Sequence, residues 1–320
     1  MSQTALSSTT AAPVSGAPRS FASAPATGAM TAPISVVRAR GRGRGSRAGR
    51  AVFNAIAVIL VLIWTFPVYW MLNSSLLPKV TLESTTPPLL PFGGSFKNFA
   101  AVTADGSFFR ALGISLAVAA IVVVVCLVFA FLAALAISRF RFKGRRSFVL
   151  AVLFIQMLPA EGMFIAQYKL MSNLGMLNSV IGVSIIYIAA VVPFTIWMLR
   201  GFVAGVPADL EEAAMVDGLS RTQAFLRITF PLLAPGLIAS GVYAFLQAWN
   251  EFTVALVLLD AENKTLPLWL RGFIQQSANR TIDWGEVMAA STLVAVPVII
   301  FFMFVQGRMT SGLVSGAVKG

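Results

Sequence analysis

The chain has 320 residues, 58% of them hydrophobic and 11% charged, and a mean hydropathy of +0.83; that is too little charge to cover a soluble core of its size. Its lack of histidine excludes imidazole metal sites and Ser-His or Cys-His catalysis, and its lack of any Gly-Lys pair excludes a G-x-x-x-x-G-K-[ST] phosphate loop. The net charge of +12 is uneven, with seven Arg and no Lys, Asp or Glu in residues 1–50.

Residues 1–37 are rich in Ala, Ser, Thr, Pro and Gly and read as disordered. They hold no apolar stretch long enough for a secretory signal. RARGRGRGSRAGR (38–50) has an RNA-binding composition, but beside an apolar segment it serves to hold that end in the cytoplasm. Residues 1–50 are therefore set apart as a cytoplasmic tail, 51–310 as the transmembrane region and 311–320 as a second cytoplasmic tail.

Six apolar segments follow, at 51–72, 111–138, about 147–168, 179–199, about 233–259 and about 286–306. Each has roughly 20 residues or more, enough at about 1.5 Å per residue to cross the hydrocarbon layer as a helix. IVVVVC would suggest a strand in water, but an isolated strand in lipid leaves its backbone unpaired, so an all-α integral membrane protein with six transmembrane helices is expected. Cys126, the single cysteine, reads as an apolar packing residue.

With the N-terminus inside, 17 of the 24 Lys and Arg fall on inner segments, and RFRFKGRR (139–146) is the clearest cluster. Both termini are then cytoplasmic. The outer loops are 73–110, with the Pro/Gly bend TTPPLLPFGG, and 260–285, whose Trp269 and Trp284 are expected as interface anchors.

The inner segment between spans four and five differs from the rest. Asp209, Glu211, Glu212 and Asp217 are four of the twelve acidic residues, within nine positions. Pro207 suits a first helical turn, and the carboxylates after it complement the helix dipole. Gly218 suits a left-handed stop, and Ser220 with Gln223 forms a capping-box pattern opening a second helix. Pro231 ends that helix or marks the bend into span five. A cytoplasmic helix-turn-helix over 207–231 is expected. Leu210, Ala213, Ala214 and Asp217 would share a narrow face of its first helix, small enough for close docking into a protein groove. A basic, bulky face would suit lipid instead.

EAAMVDG, then nine residues, then ITFP resembles the EAA loop of ABC-importer permease subunits, E-A-A-x-x-x-G-(x)9-I-x-L-P, with Phe230 in place of the usual Leu. RFRFKGRR, FPLLAPG, AWNEF and SGLVSGAVKG extend the likeness to the carbohydrate-importer branch over about residues 55–320. The resemblance implies a non-catalytic translocation subunit in a bacterial plasma membrane. Its partners would be a second permease subunit, two ABC ATPase subunits and an extracytoplasmic sugar-binding protein, with no nucleic acid. It implies no cofactor on this chain, with ATP and Mg2+ held by the ATPase subunits. It makes the acidic helix the coupling helix: Glu212 would meet a basic residue, Ala213 and Ala214 allow the close fit, Gly218 makes the turn, and Asp217 pairs locally or across the joint. Arg221 and Arg227 would meet the ATPase or the lipid surface. The resemblance also sends the C-terminal tail between the ATPase subunits, where composition alone suggests a frayed end.

Glu161 and Glu251 lie inside expected spans, where a carboxylate must face other helices or water. Pro159 and Gly162 are placed to break the helix around Glu161. Trp249, Asn250 and Glu251, with Gln156 across from them, offer the planar polar groups and aromatic face that sugars take. The same groups would equally pair helix to helix, and the resemblance assigns most sugar contacts to the other permease subunit. A polyol or glycerol phosphate is the alternative cargo, and the lack of Lys or Arg in spans three and five disfavours an anionic one. A stand-alone secondary transporter would need ionisable residues in more of the spans.

Overall fold

The IVVVVC run lies in the middle of a 33-residue helix, as expected in lipid rather than in water. The computed structural model describes residues 47–260, 262–278 and 281–317, and no strand occurs among them. Residues 1–46 and 318–320, and with them most of the expected N-terminal tail and the last of the C-terminal one, lie outside the described residues.

In chain order the helices are α1 (Arg47–Leu76), α2 (Lys79–Leu82), α3 (Lys97–Thr103), α4 (Ser107–Arg139), α5 (Arg145–Gln156), α6 (Phe164–Asn173) and α7 (Val180–Gly205). After them come α8 (Asp209–Val216), α9 (Arg221–Ala224), α10 (Phe230–Asn250), α11 (Thr253–Leu258), α12 (Leu266–Ala278) and α13 (Trp284–Ala317). Among the described residues, five helical stretches are long and apolar enough to cross a membrane: 49–76, α4, α7, 221–250 and 284–307. The stretch expected as a third span is divided. Pro159 cannot continue the hydrogen-bond ladder, and a 3-10 turn at Ala160–Met163 separates α5 from α6. At the other end, α13 continues to Ala317, past the expected tail boundary.

Contacts divide the chain between Val58 and Ile59. The described part of the first unit is the opening of α1, whose Val52, Phe53 and Ile56 are exposed. The second unit is built around α4, α7 and α10, which pack on one another, with α13 against α10, α12 and α3. One face of α4 buries Ala111, Ser115, Val118, Val122, Cys126, Ala130, Ala134 and Ile137 at helical spacing. Small residues of this kind let helix backbones approach closely where lipid supplies no hydrophobic drive. Cys126 is fully buried as a packing residue, and its thiol donates to Thr195 Oγ1 at 3.4 Å. α7 and α10 cross closely at Gly236 of α10, where a Cβ would lie 2.4 Å from Phe202 Cγ of α7.

Of the two tryptophans expected as interface anchors, Trp284 is exposed but Trp269 is not. Trp269 is 6% exposed, stacks on Phe273, and donates from Nε1 to Ser107 Oγ at 2.8 Å. A buried partner for the indole N–H makes it a core residue instead.

Candidate functional site

The acidic segment folds as two short helices joined by a capped turn. Pro207 lies just before α8, and the amides of Glu211 and Glu212 both bond to Ala208 O to open the helix. Asp209, Glu211 and Glu212 occupy the first turn, where the dipole favours anions. At the far end Leu219 N bonds to Ala214 O and Gly218 N to Met215 O, both at 3.1 Å. Gly218 has φ +93°, the left-handed conformation this C-terminal cap requires. Ser220 Oγ accepts from Gln223 N at 3.3 Å, while Gln223 Oε1 accepts from Ser220 N at 3.1 Å, completing the capping box.

The second helix does not end at Pro231. A π turn at Phe225–Thr229 joins α9 to α10, and Phe230 N bonds to Phe225 O. The wider turn moves the carbonyl against which the Pro231 ring would otherwise clash, so the chain stays helical from Arg221 to Asn250.

Two faces of α8 have different surroundings. Ala214 is 7% exposed, on the side where α8 packs on α9 and the π turn. Glu212, Ala213, Val216, Asp217, Gly218 and Arg221 are exposed. The expected four-residue docking face is therefore split: Leu210, Ala213 and Asp217 are exposed, whereas Ala214 faces the protein's own interior. Met215 and Val216 add apolar surface to the exposed side.

Sequence patterns gave no hint of how the elbow is held. Glu211 Oε1 lies 3.3 Å from Arg139 Nη2, and both side chains are 17% exposed. The same oxygen accepts from Thr229 Oγ1 at 2.7 Å. Arg139 is the last residue of α4, and Thr229 is the last of the π turn. Arg139 Nε and Nη2 are buried without a hydrogen bond of ordinary geometry, so the Glu211 carboxylate compensates a charge that would otherwise be costly to bury. One side chain thus fastens α8 to two membrane-spanning stretches.

The residues expected along a substrate route separate. Trp249 is 3% exposed and stacks on Phe245, with ring centroids 5.4 Å apart; Phe245 stacks on Phe301 at 4.0 Å. It packs helix to helix. Gln156 ends α5 on the exposed surface, and the Glu161 side chain lies outside the described set. Glu251 breaks the helix between α10 and α11 and accepts from Val254 N at 2.8 Å and Ala255 N at 3.2 Å, so its carboxylate caps α11. Asn250 Nδ2 donates to Leu246 O at 2.9 Å. Asn250 and Glu251 line a cavity of about 260 Å3 with Gln167, Tyr187, Gln247 and apolar residues of α7. Gln156 and Trp249 do not line it. No group of His, Cys, Asp and Glu suited to a metal occurs among the described residues.

The chain and its fold have clear relatives. Residues 127–314 match the family described as binding-protein-dependent transport system inner membrane component. The chain is 43% identical over 273 residues to the diacetylchitobiose uptake system permease protein DasC of Streptomyces coelicolor, covering 85% of this chain and 98% of the relative. It is 33% identical to the trehalose/maltose transport system permease protein MalG of Thermococcus litoralis, over 82% of this chain and 95% of that one. Among solved structures it is similar to a chain of a bacterial ABC transporter involved in the import of the acidic polysaccharide alginate. That match has a TM-score of 0.69 and 28% identity, and covers 82% of this chain and 98% of the other. The chain belongs to the family of binding-protein-dependent transport system inner membrane components.

Proposed function

We propose that this chain is one of two permease subunits of an ATP-binding-cassette importer that carries a sugar or oligosaccharide into the cell. The chain is the translocation path and not the motor. ATP and Mg2+ belong to two partner ATPase subunits, and a sugar-binding protein delivers cargo from the far side of the membrane. The interrupted pair α5 and α6 counts as one crossing, which gives six and leaves both termini cytoplasmic, in keeping with the basic residues of RFRFKGRR.

The observation that carries this reading is the two-sided elbow at α8. Its inner side is locked by Glu211 to Arg139 and Thr229. Its outer side leaves Glu212, Ala213, Val216 and Asp217 exposed. Seated in a cleft of the ATPase, such a helix passes movement along two routes: through Arg139 into α4, and through the π turn into α10. When ATP draws the ATPase pair together, the docked helices move with them and the spans rock between two packings. That is a rigid-body switch driven by the different affinity of each state for nucleotide. Arg221, exposed at the start of α9, flanks the same joint.

Asn250 and Glu251 border the substrate route, Trp249 stiffens it from behind, and Gln156 and Glu161 flank the break between α5 and α6. No Lys or Arg lines the cavity at Asn250 and Glu251, which favours a neutral sugar over a glycerol phosphate. Diacetylchitobiose, named for the relative at 43% identity, is the first cargo to test. The test is reconstitution of the whole transporter in proteoliposomes. The expected result is sugar uptake with ATP hydrolysis stimulated by loaded binding protein, and loss of both in Glu212→Lys. Normal uptake by Glu212→Lys would refute the coupling role.

A further inference from the structure

We infer that the cytoplasmic ends of α4, α5 and α7 form a binding site for one anionic phospholipid, with its phosphate held by Arg145 and Arg200 and its chains laid along Trp197. The inference needs the membrane orientation proposed above and is independent of the cargo and of ATP. It starts from a cavity of about 310 Å3 lined by Trp197, Arg200, Gly201 and Ala204. These four positions recur at helical spacing, so one stripe of α7 forms the floor. A Cβ at Gly201 would meet nothing within 4 Å, which leaves the middle of the stripe open. The volume is at the lower end of the range for small-ligand pockets, about 300–1,000 Å3, and suits a glycerophosphate headgroup.

The polar part of this cavity is a cation without a counter-charge. The Arg200 guanidinium lies 5.3 Å from the centre of the Trp197 ring. Stacking occupies the face of a guanidinium and leaves its N–H edge for a bidentate pair with phosphate. Trp197 and Arg200 also border an apolar crevice with Ile137 of α4, and with Val149 and Val152 of α5. Arg145 is on that face of α5, one turn before Val149, and is half-buried. Arg141, Lys143 and Arg146 are exposed close by in the chain. Among the described residues the ion pairs are Lys79 with Glu83 and Arg139 with Glu211, so none of these other cations has a carboxylate. Between Asp105 and Asp209 the chain has a single acid, Glu161. Uncompensated positive charge between helices at the cytoplasmic face is what an anionic headgroup complements.

Depth decides between a lipid and the soluble ATPase. Trp197 is about 12 Å of helix in from the end of α7 at Gly205. It is 42% exposed there, at a level that an acyl chain reaches and a soluble subunit does not. The loop between α4 and α5 carries the same mixture of charge and apolar surface. Phe140 and Phe142 alternate with Arg141 and Lys143, and both rings are exposed, as suits the interfacial layer.

The test is native mass spectrometry of the complete transporter, incubated with equal amounts of phosphatidylglycerol and phosphatidylcholine. The wild type should hold one phosphatidylglycerol in preference to phosphatidylcholine by about tenfold or more. Arg145→Gln and Arg200→Gln should each cut that preference about fivefold, the worth of one basic residue at an anionic surface. Arg200→Lys keeps the charge without the planar fork and should fall between. Arg271→Gln, on the outer side, should change nothing. Equal retention of both lipids by the wild type, or an equal loss in Arg271→Gln, overturns the site. Release of the lipid by excess inorganic phosphate overturns it as well, since a plain anion site makes no use of Trp197. A second measurement leaves every arginine in place. Gly201→Cys is labelled with bimane in the transporter, held in phosphatidylcholine nanodiscs with a minor share of phosphatidylglycerol. Bromines near the headgroup end of the chains should quench the label more strongly on phosphatidylglycerol than in the same amount on phosphatidylcholine. Equal quenching contradicts the site, and quenching by neither lipid replaces it with a contact to a protein partner.

Discussion

The carboxylate of Glu211 lies 3.3 Å from the guanidinium of Arg139, joining the short acidic helix α8 to the far end of α4. The contact is half of a two-part clamp, since Thr229 donates to the same oxygen. It places the glutamate preceding the EAA triplet on the inside of the joint and Glu212 on the outside. Adjacent carboxylates thus have different surroundings, one holding the elbow to its own subunit and one exposed.

Breaking the clamp should be costly. Removal of one member of a fully buried pair costs about 3–5 kcal/mol, and the 17% exposure of both side chains lowers the expected value to about 1–3 kcal/mol. Arg139→Ala and Glu211→Ala should each lower thermal stability of the purified transporter. The double variant should lose less than the sum, because the two act through one contact. Glu211→Gln, which keeps an acceptor for Thr229, should retain stability better than Glu211→Ala while still lowering sugar uptake per ATP hydrolysed.

The turn of the elbow depends on its glycine. Gly218 has φ +93°, a conformation that a β-branched side chain enters only at about 1–2 kcal/mol. Gly218→Val should disrupt the C-cap, shift the start of α9 and lower stimulated ATP hydrolysis. Ser220→Ala removes one half of the capping box and should cost about 1 kcal/mol. Thermal unfolding and ATPase assays on the same preparations check both.

These two predictions differ in how far sequence alone leads to them. Gly218 and the Ser220–Gln223 box could be read from the chain because caps are local and involve residues three or four apart. The clamp could not. Arg139 belongs to a basic cluster whose legible role is orientation, and no periodicity pairs it with an acid between other spans. The sequence suggests Trp269 as an interface anchor and leaves Trp249 open between a sugar-facing ring and a helix-packing one, and each has its ring stacked inside the helix bundle. Composition reports that a tryptophan is amphipathic, not which side of a helix it takes. The interruption near Pro159 was legible from proline chemistry. The one at Glu251 was not, because no proline or glycine marks it and the carboxylate itself supplies the cap.

The crossing of α7 and α10 should tolerate no added volume. A Cβ at Gly236 would meet the Phe202 ring at 2.4 Å. Gly236→Leu should therefore destabilise by about 1–3 kcal/mol through overpacking, and Gly236→Ala by less. Combining Gly236→Ala with Phe202→Ala should return part of the loss. Melting of the detergent-solubilised transporter reads the series directly.

Glu251 should behave as a structural cap. Glu251→Ala removes the acceptor for two amides at the start of α11 and should cost about 1–2 kcal/mol whether or not sugar is present. Glu251→Gln keeps one acceptor and should fall between that variant and wild type. Thermal shift with and without diacetylchitobiose separates this effect from any loss of ligand stabilisation.

The central claim is that the exposed side of α8 seats in a cytoplasmic ATPase, and Ala213→Cys tests it most directly. Cys126 is fully buried and adds little background. A membrane-impermeant maleimide should leave the new thiol unmodified in intact cells, label it in inside-out vesicles stripped of the ATPase, and lose access once the ATPase is restored. Labelling from outside intact cells, or labelling in vesicles that the ATPase does not diminish, would contradict the account.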